Sequence, residues 1–226
     1  EECVQLAVEG KRQIRELSKK RPLELLLGTS QALEENPDLV ERARESVVLA
    51  DHLIHRLSRV KASQELIAFF QKPSWDWDHV TPAVLYLDGL NDPGNLGTLF
   101  RTAAAVGIFS ILTAAGTVSC FNDKVVRSSS SYLFKVPFLE GIEKGELIDR
   151  GYRIWTAESG QGMPFFEASL APPLAIVLGN ESRGVCPSDV PAEPIHIPMN
   201  RGVESLNAAV SGALIMYEVY RRQLSQ

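Results

Sequence analysis

Hydrophobic and polar positions alternate along this chain in short runs, and the runs change character near residue 80. Residues 3–8 (Cys-Val-Gln-Leu-Ala-Val) read as a strand, followed by Glu9-Gly10 and a basic helix that turns Ile14 and Leu17 inward. A strand is predicted at 23–27, helical turns at 31–35 and 37–44, a strand at 47–49, a helix at 51–57 and a strand at 66–70. Alternation of this kind predicts a small α/β unit. Residues 71–82 break every period and contain Pro73 and Pro82, so a boundary is placed there. The expected division is a domain at 1–72, a linker at 73–82 and a second domain at 83–226. Trp75 and Trp77 are expected to pack the linker onto a domain, with base stacking as the alternative.

From residue 83 the strands are longer and more uniformly apolar, at 83–87, 108–112, 152–156, 174–178 and 195–197. Helical segments at 96–106, 123–131 and 146–150 separate most of them. Near-continuous apolar strands alternating with helices predict a parallel sheet covered on both faces. Ligands of such sheets bind beyond the carboxyl ends of strands. After the last strand Pro198, which has no N–H to give a ladder, ends the pairing. A polar loop and a final helix follow, and Leu206, Ala209, Val210, Ala213, Leu214, Tyr217 and Tyr220 share one face of that helix. Glu204, Ser205 and Asn207 sit at its start, where unpaired amides and the positive dipole end favour polar partners.

Composition narrows the class. The 226 residues are 45% hydrophobic and 23% charged, as in a soluble globular protein with ample length for a core. There is neither an apolar run of about 18 residues nor a signal-peptide pattern, so no membrane association and a cytoplasmic location are expected. Cys3, Cys120 and Cys186 are far apart, and His52, His55, His79 and His196 make no ligand spacing with them. No metal is expected. A net charge of −5 is awkward for a nucleic-acid binder, but distribution matters more than the total. Lys11, Arg12, Arg15, Lys19, Lys20 and Arg21 cluster against only Glu9 and Glu16, which suits RNA or an ordinary solvated helix face.

Three segments carry chemistry. Beyond the strand at 83–87 lies Asn91-Asp92-Pro93-Gly94-Asn95, read as a loop with Asn95 as a helix cap, and Arg101 follows inside the helix. Neither a dinucleotide fingerprint nor a Gly-Lys-Ser/Thr phosphate loop is present, which argues against a dinucleotide-binding oxidoreductase. Beyond the strand at 174–178 lies Gly179-Asn180-Glu181-Ser182-Arg183-Gly184, whose glycines permit close backbone approach to a ligand. Glu181 is expected to pair with Arg101. The third segment is 197–207 with its helix.

In this order and spacing, the three segments resemble the motifs of the SpoU (TrmH-like) family of RNA ribose methyltransferases, within the SPOUT superfamily. Lys124-Val125-Val126-Arg127-Ser128-Ser129 is similar to the family's segment between the first two motifs. The resemblance covers roughly 83–222, and residues 3–73 look like the ribosomal-protein-like domain that many members carry in front. It implies an α/β parallel sheet with a carboxyl-terminal trefoil knot, and S-adenosylmethionine held by Leu178, Gly179, Asn180, Ile197, Met199, Ser205, Leu206 and Asn207. It further implies that Arg101 acts on a ribose 2′-hydroxyl, with Asn95, Glu181, Ser205 and Asn207 arranging the site. Lys11, Arg12, Arg15, Lys124 and Arg127 are expected at structured RNA, ribosomal RNA first and tRNA second. A homodimer is implied, with Ala208, Ala209, Gly212 and Ala213 allowing close helix approach. A knotted RNA-binding protein without catalysis is the alternative of another class. Two departures stand out: Ser131, where members often carry glycine, and Asn200-Arg201, in place of a smaller pair.

Overall fold

A computed structural model describes residues 5–58, 65–187 and 190–225. Cys3 and Val4, at the start of the first expected strand, lie outside the described residues. The chain forms two compact units, one up to Ser74 and one from Trp75.

The first unit runs β1 (Gln5–Glu9), α1 (Lys11–Ser18), β2 (Leu23–Gly28), α2 (Ser30–Glu34), α3 (Pro37–Arg42), β3 (Ala43–Val48), α4 (Asp51–Leu57) and β4 (Leu66–Gln71). Its sheet has the order β1-β4-β2-β3, with β4 antiparallel to both neighbours and β2 parallel to β3. Helix α1 buries Ile14 and Leu17, as its spacing predicts. The helix expected over 37–44 stops at Arg42, and β3 begins four residues before the expected strand. Strand β3 is an edge with one hydrogen-bonded neighbour, so Arg44, Glu45 and Ser46 stay exposed and no apolar alternation marks it.

The second unit carries a seven-stranded sheet in the order β7-β6-β5-β10-β8-β11-β9, parallel at every pairing. Its strands are β5 (Ala83–Asp88), β6 (Phe109–Thr113), β7 (Phe138–Glu140), β8 (Arg153–Ala157), β9 (Met163–Pro164), β10 (Leu174–Gly179) and β11 (Glu193–His196). β5 is buried along its whole length and β10 up to its last residue, which is why both read as continuous apolar runs. The unexpected β7 and β9 have three and two residues, too few to show a period. Trp75 packs edge-on against His79, and Arg150 covers Trp77. Both rings are thus engaged within this unit.

Helix α5 (Pro93–Val106) starts earlier than expected. Pro93 occupies its first turn, where a fixed φ helps and a missing N–H costs nothing. Asp92 is the cap, accepting the Asn95 amide at 2.9 Å, so Asn95 lies inside the helix instead of capping it. Helix α6 (Asp123–Ser128) ends three residues before its expected end, because Ser130 and Ser131 adopt left-handed φ of 51° and 63°. Glycine is favoured in that conformation, so Ser131 carries a backbone strain that glycine would avoid.

Helix α7 (Lys144–Asp149) precedes β8, and α8 (Ala208–Leu224) closes the chain. The face of α8 that packs inward is Ala209, Gly212, Ile215, Met216 and Val219. Of the face read from the sequence, Leu206, Val210, Leu214 and Tyr217 are exposed. The helix is apolar on two sides, and spacing alone cannot choose between them. A Cβ on Gly212 would lie 2.5 Å from Leu99 Cδ2 and 2.9 Å from Leu178 Cδ1, so glycine lets α8 settle on α5 and β10. Ala209 and Gly212 therefore serve packing within the unit. Among the described residues, no helix is long and apolar enough to cross a membrane and no acid, histidine and cysteine group can hold a metal.

Candidate active site

The sheet order places β5 beside β10, so the loops after these two strands leave the same edge side by side. The loop after β10 borders a cavity of about 900 Å³. From the second motif Leu178, Gly179 and Asn180 line it; from the third, Ile197, Met199, Ser205, Leu206 and Asn207 do so. All eight residues expected at the cofactor share this one wall.

The loop after β10 is held in a tight hook. The amides of Asn180 and Gly184 each donate to the other's carbonyl at 2.9 Å. Asn180 Oδ1 accepts from the amides of Ser182 (2.9 Å) and Arg183 (3.3 Å), and its Nδ2 donates to the Gly89 carbonyl at 2.8 Å. One buried amide side chain thus shapes its own loop and ties it to the loop after β5. A Cβ on Gly179 would sit 2.1 Å from the Gly184 carbonyl carbon, so only glycine lets the hook close.

Beside the cavity the three motifs meet through the side chains of Asn207, Asn95 and Glu181. Asn207 Nδ2 donates to Asn95 Oδ1 at 2.9 Å, and Asn95 Nδ2 donates to Glu181 Oε1 at 2.9 Å. Asn207 also caps α8, its Oδ1 accepting from the amides of Ala209 (2.9 Å) and Val210 (3.3 Å). Glu181 is therefore met by Asn95, where an ion pair with Arg101 was expected. Arg101 is exposed on α5, has no partner among the described residues and does not line the cavity.

The other expected cations differ in how committed they are. Arg15 is held by Asp38 at 2.7 and 2.9 Å and by Asn36 at 3.1 Å. Its hydrogen bond keeps the Asp38 carboxyl below the usual range. Lys11 reaches Glu35 at 3.4 Å and Lys124 lies 3.8 Å from Asp92. Arg12 is exposed and Arg127 half-buried, and neither makes a hydrogen bond or ion pair among the described residues.

Two residues that sequence reasoning missed stand behind the hook. Asp88, the last residue of β5, meets Lys144 Nζ at 2.7 Å, with both side chains largely buried. The only hint was an aspartate closing an otherwise apolar strand.

The wall suits a nucleoside-bearing cofactor. The amides of Met199, Ser205, Leu206 and Asn207, all residues of the cavity lining, donate to no acceptor among the described residues. Leu178, Ile195, Ile197 and Leu206 supply apolar surface beside them.

A family model described as the SpoU rRNA Methylase family matches residues 82–217. The 23S rRNA (guanosine(2553)-2'-O)-methyltransferase RlmP of Bacillus subtilis (strain 168) is 27% identical over 190 residues, 81% of this chain and 75% of its own. Among solved structures, the SpoU methyltransferase AviRb from Streptomyces viridochromogenes, in complex with AdoMet, matches with a TM-score of 0.84 at 25% identity, over 98% of this chain and 91% of that one. A structure described as an RNA 2'-O ribose methyltransferase matches with a TM-score of 0.78 at 28% identity, over 98% and 90%. The chain belongs to the SpoU rRNA Methylase family.

Proposed function

We propose that this protein transfers a methyl group from S-adenosylmethionine to a ribose 2′-hydroxyl of structured RNA, ribosomal RNA in preference to tRNA. The observation that carries the reading is the string Asn207–Asn95–Glu181, which joins three motifs 86 and 112 positions apart in sequence at the wall of one cavity. A binding protein without catalysis has no need to align these side chains. Preference for ribosomal RNA rests on the Bacillus subtilis relative, which by its name acts on 23S rRNA and aligns with most of the chain.

The cofactor, when bound, supplies an electrophilic methyl group. The chain's part is to hold the hydroxyl in line with it, which by itself removes much of the barrier. The hook after β10 and the free amides of 199 and 205–207 hold the donor; Asn95, Glu181 and Asn207 orient polar groups at the wall. Arg101 acts as a cation, because a guanidinium seldom gives up its proton. Exposed on α5 and outside the cavity lining, it meets the RNA rather than the cofactor, binding the phosphate beside the target ribose and stabilising the alkoxide that develops.

We further infer that two copies associate through α8. Its exposed Val210, Leu214 and Tyr217, with Leu206 just ahead of the helix, form an apolar stripe that suits a second copy. The carboxyl-terminal segment forms the family's trefoil knot, and the first unit, ribosomal-protein-like, binds RNA through Arg12 and its basic neighbours. The location is cytoplasmic.

Incubation with labelled S-adenosylmethionine and separate ribosomal RNA and tRNA pools tests the substrate. Label in ribosomal RNA supports the reading; label in tRNA alone overturns the preference; label in neither overturns the activity.

A further inference from the structure

The hook of 180–186 is well fixed at its start, through Asn180, but residues 181–184 are exposed and contribute little packing of their own. Val185 packs against the core, and beyond it the far end is fixed by charge. Asp88 Oδ2 accepts the Cys186 amide at 2.8 Å, and Lys144 Nζ donates to the Cys186 carbonyl at 2.8 Å while contacting the same carboxylate oxygen at 2.7 Å. Both main-chain polar groups of one cavity-lining residue are thus gripped by the two halves of an ion pair. The side chains of Lys144 and Asp88 are only 11% and 8% exposed.

The pair is not needed to dock α7. Leu147 is fully buried against Tyr86 and Ile154, and Tyr86 Oη donates to the Ile142 carbonyl at 2.7 Å just ahead of the helix. Nor does a buried ion pair add much stability over an apolar pair of similar size, since desolvation of both charges offsets their attraction. What an apolar pair cannot do is hold a main-chain N–H and C=O in place.

We propose that Asp88 and Lys144 are positioning residues for cofactor binding: together they pin Cys186 and keep the cavity wall built by 179–186 in its closed shape. This assignment rests on S-adenosylmethionine being the ligand of the cavity. Lys144 itself lines the cavity, so the loss of its charge is felt there first.

The test is titration calorimetry of the full chain with S-adenosylmethionine, alongside thermal melts and turnover. Lys144→Met and the apolar pair Asp88→Leu/Lys144→Met weaken binding about tenfold, the loss expected when one or two backbone hydrogen bonds no longer hold the wall. The apolar pair melts near wild type, and kcat at saturating cofactor falls by less than the affinity does. Asp88→Asn keeps the shape and an acceptor for the Cys186 amide, and it carries the test if the double substitution does not fold; it weakens binding several-fold. Affinity within twofold of wild type in whichever of these variants folds overturns the proposal and leaves the pair a structural prop. A wild-type chain that binds no S-adenosylmethionine overturns the proposed function instead.

Discussion

The loop after β10 is held by two polar networks of opposite kind. At its beginning, Glu181 belongs to an exposed relay that joins it to Asn95 and Asn207. At its end, Cys186 is gripped by the buried Asp88–Lys144 pair. The exposed relay is in competition with water, so it adds little to stability and its use lies in orienting groups. The buried pair is insulated from water, so losing one partner strands a charge. One network is therefore read in rate, the other in stability and cofactor affinity.

The largest effect is expected on the catalytic side. Arg101→Ala lowers kcat by about 10³-fold, the scale seen when a charge-stabilising donor is removed, while Arg101→Lys retains appreciable turnover. Near-total loss in Arg101→Lys, with cofactor and RNA binding intact, contradicts a purely cationic role. Next comes the buried pair. Lys144→Met costs about 3 kcal/mol of folding stability in a denaturant melt, because the Asp88 carboxylate is left without its cation. Asn95→Ala, in the middle of the exposed relay, reverses the balance: kcat falls by about 10²-fold while stability changes by less than about 1 kcal/mol. If Asn95→Ala and Lys144→Met show the same split between rate and stability, the contrast between the networks is broken.

Glu218 offers a third charged site as a control away from the loop. Hydrogen bonds from Arg221 and Arg222 hold its pKa at about 2, below its usual 4.5. A depressed carboxyl stabilises the fold fully above its unfolded pKa and loses that contribution as pH falls through the folded one. Stability on the order of 1–2 kcal/mol is thus lost between about pH 4.5 and 2, trimmed by screening because Arg221 is well exposed. Glu218→Gln flattens that window in acid melts. The smallest effect is Ser131→Gly, which relieves a left-handed φ and removes a buried hydroxyl that has no partner among the described residues. It raises stability by about 0.5–1 kcal/mol in a thermal melt.

Legibility in sequence followed burial. β5 and β10 were plain because their residues are buried almost throughout, whereas β3 was hidden by the polar residues that an edge strand tolerates. The cofactor wall was legible through motif resemblance, and all eight residues line one cavity. The pairings around it were not. Nothing local announces that Asn95 is met by residues 86 and 112 positions away, or that Asp88 reaches Lys144. The expected Glu181–Arg101 pair failed for the same reason, since charge complementarity names partners without fixing geometry. On α8 both apolar faces satisfied the same period, and only the depth of Leu99 and Leu178 against Gly212 decides which one packs.

The most direct test is the chemical position of the transferred methyl. RNA labelled by the wild-type chain is hydrolysed with alkali, which cleaves only beside a free 2′-hydroxyl. The account predicts that the label survives in a resistant dinucleotide. Label released in mononucleotides places the methyl on a base and contradicts it.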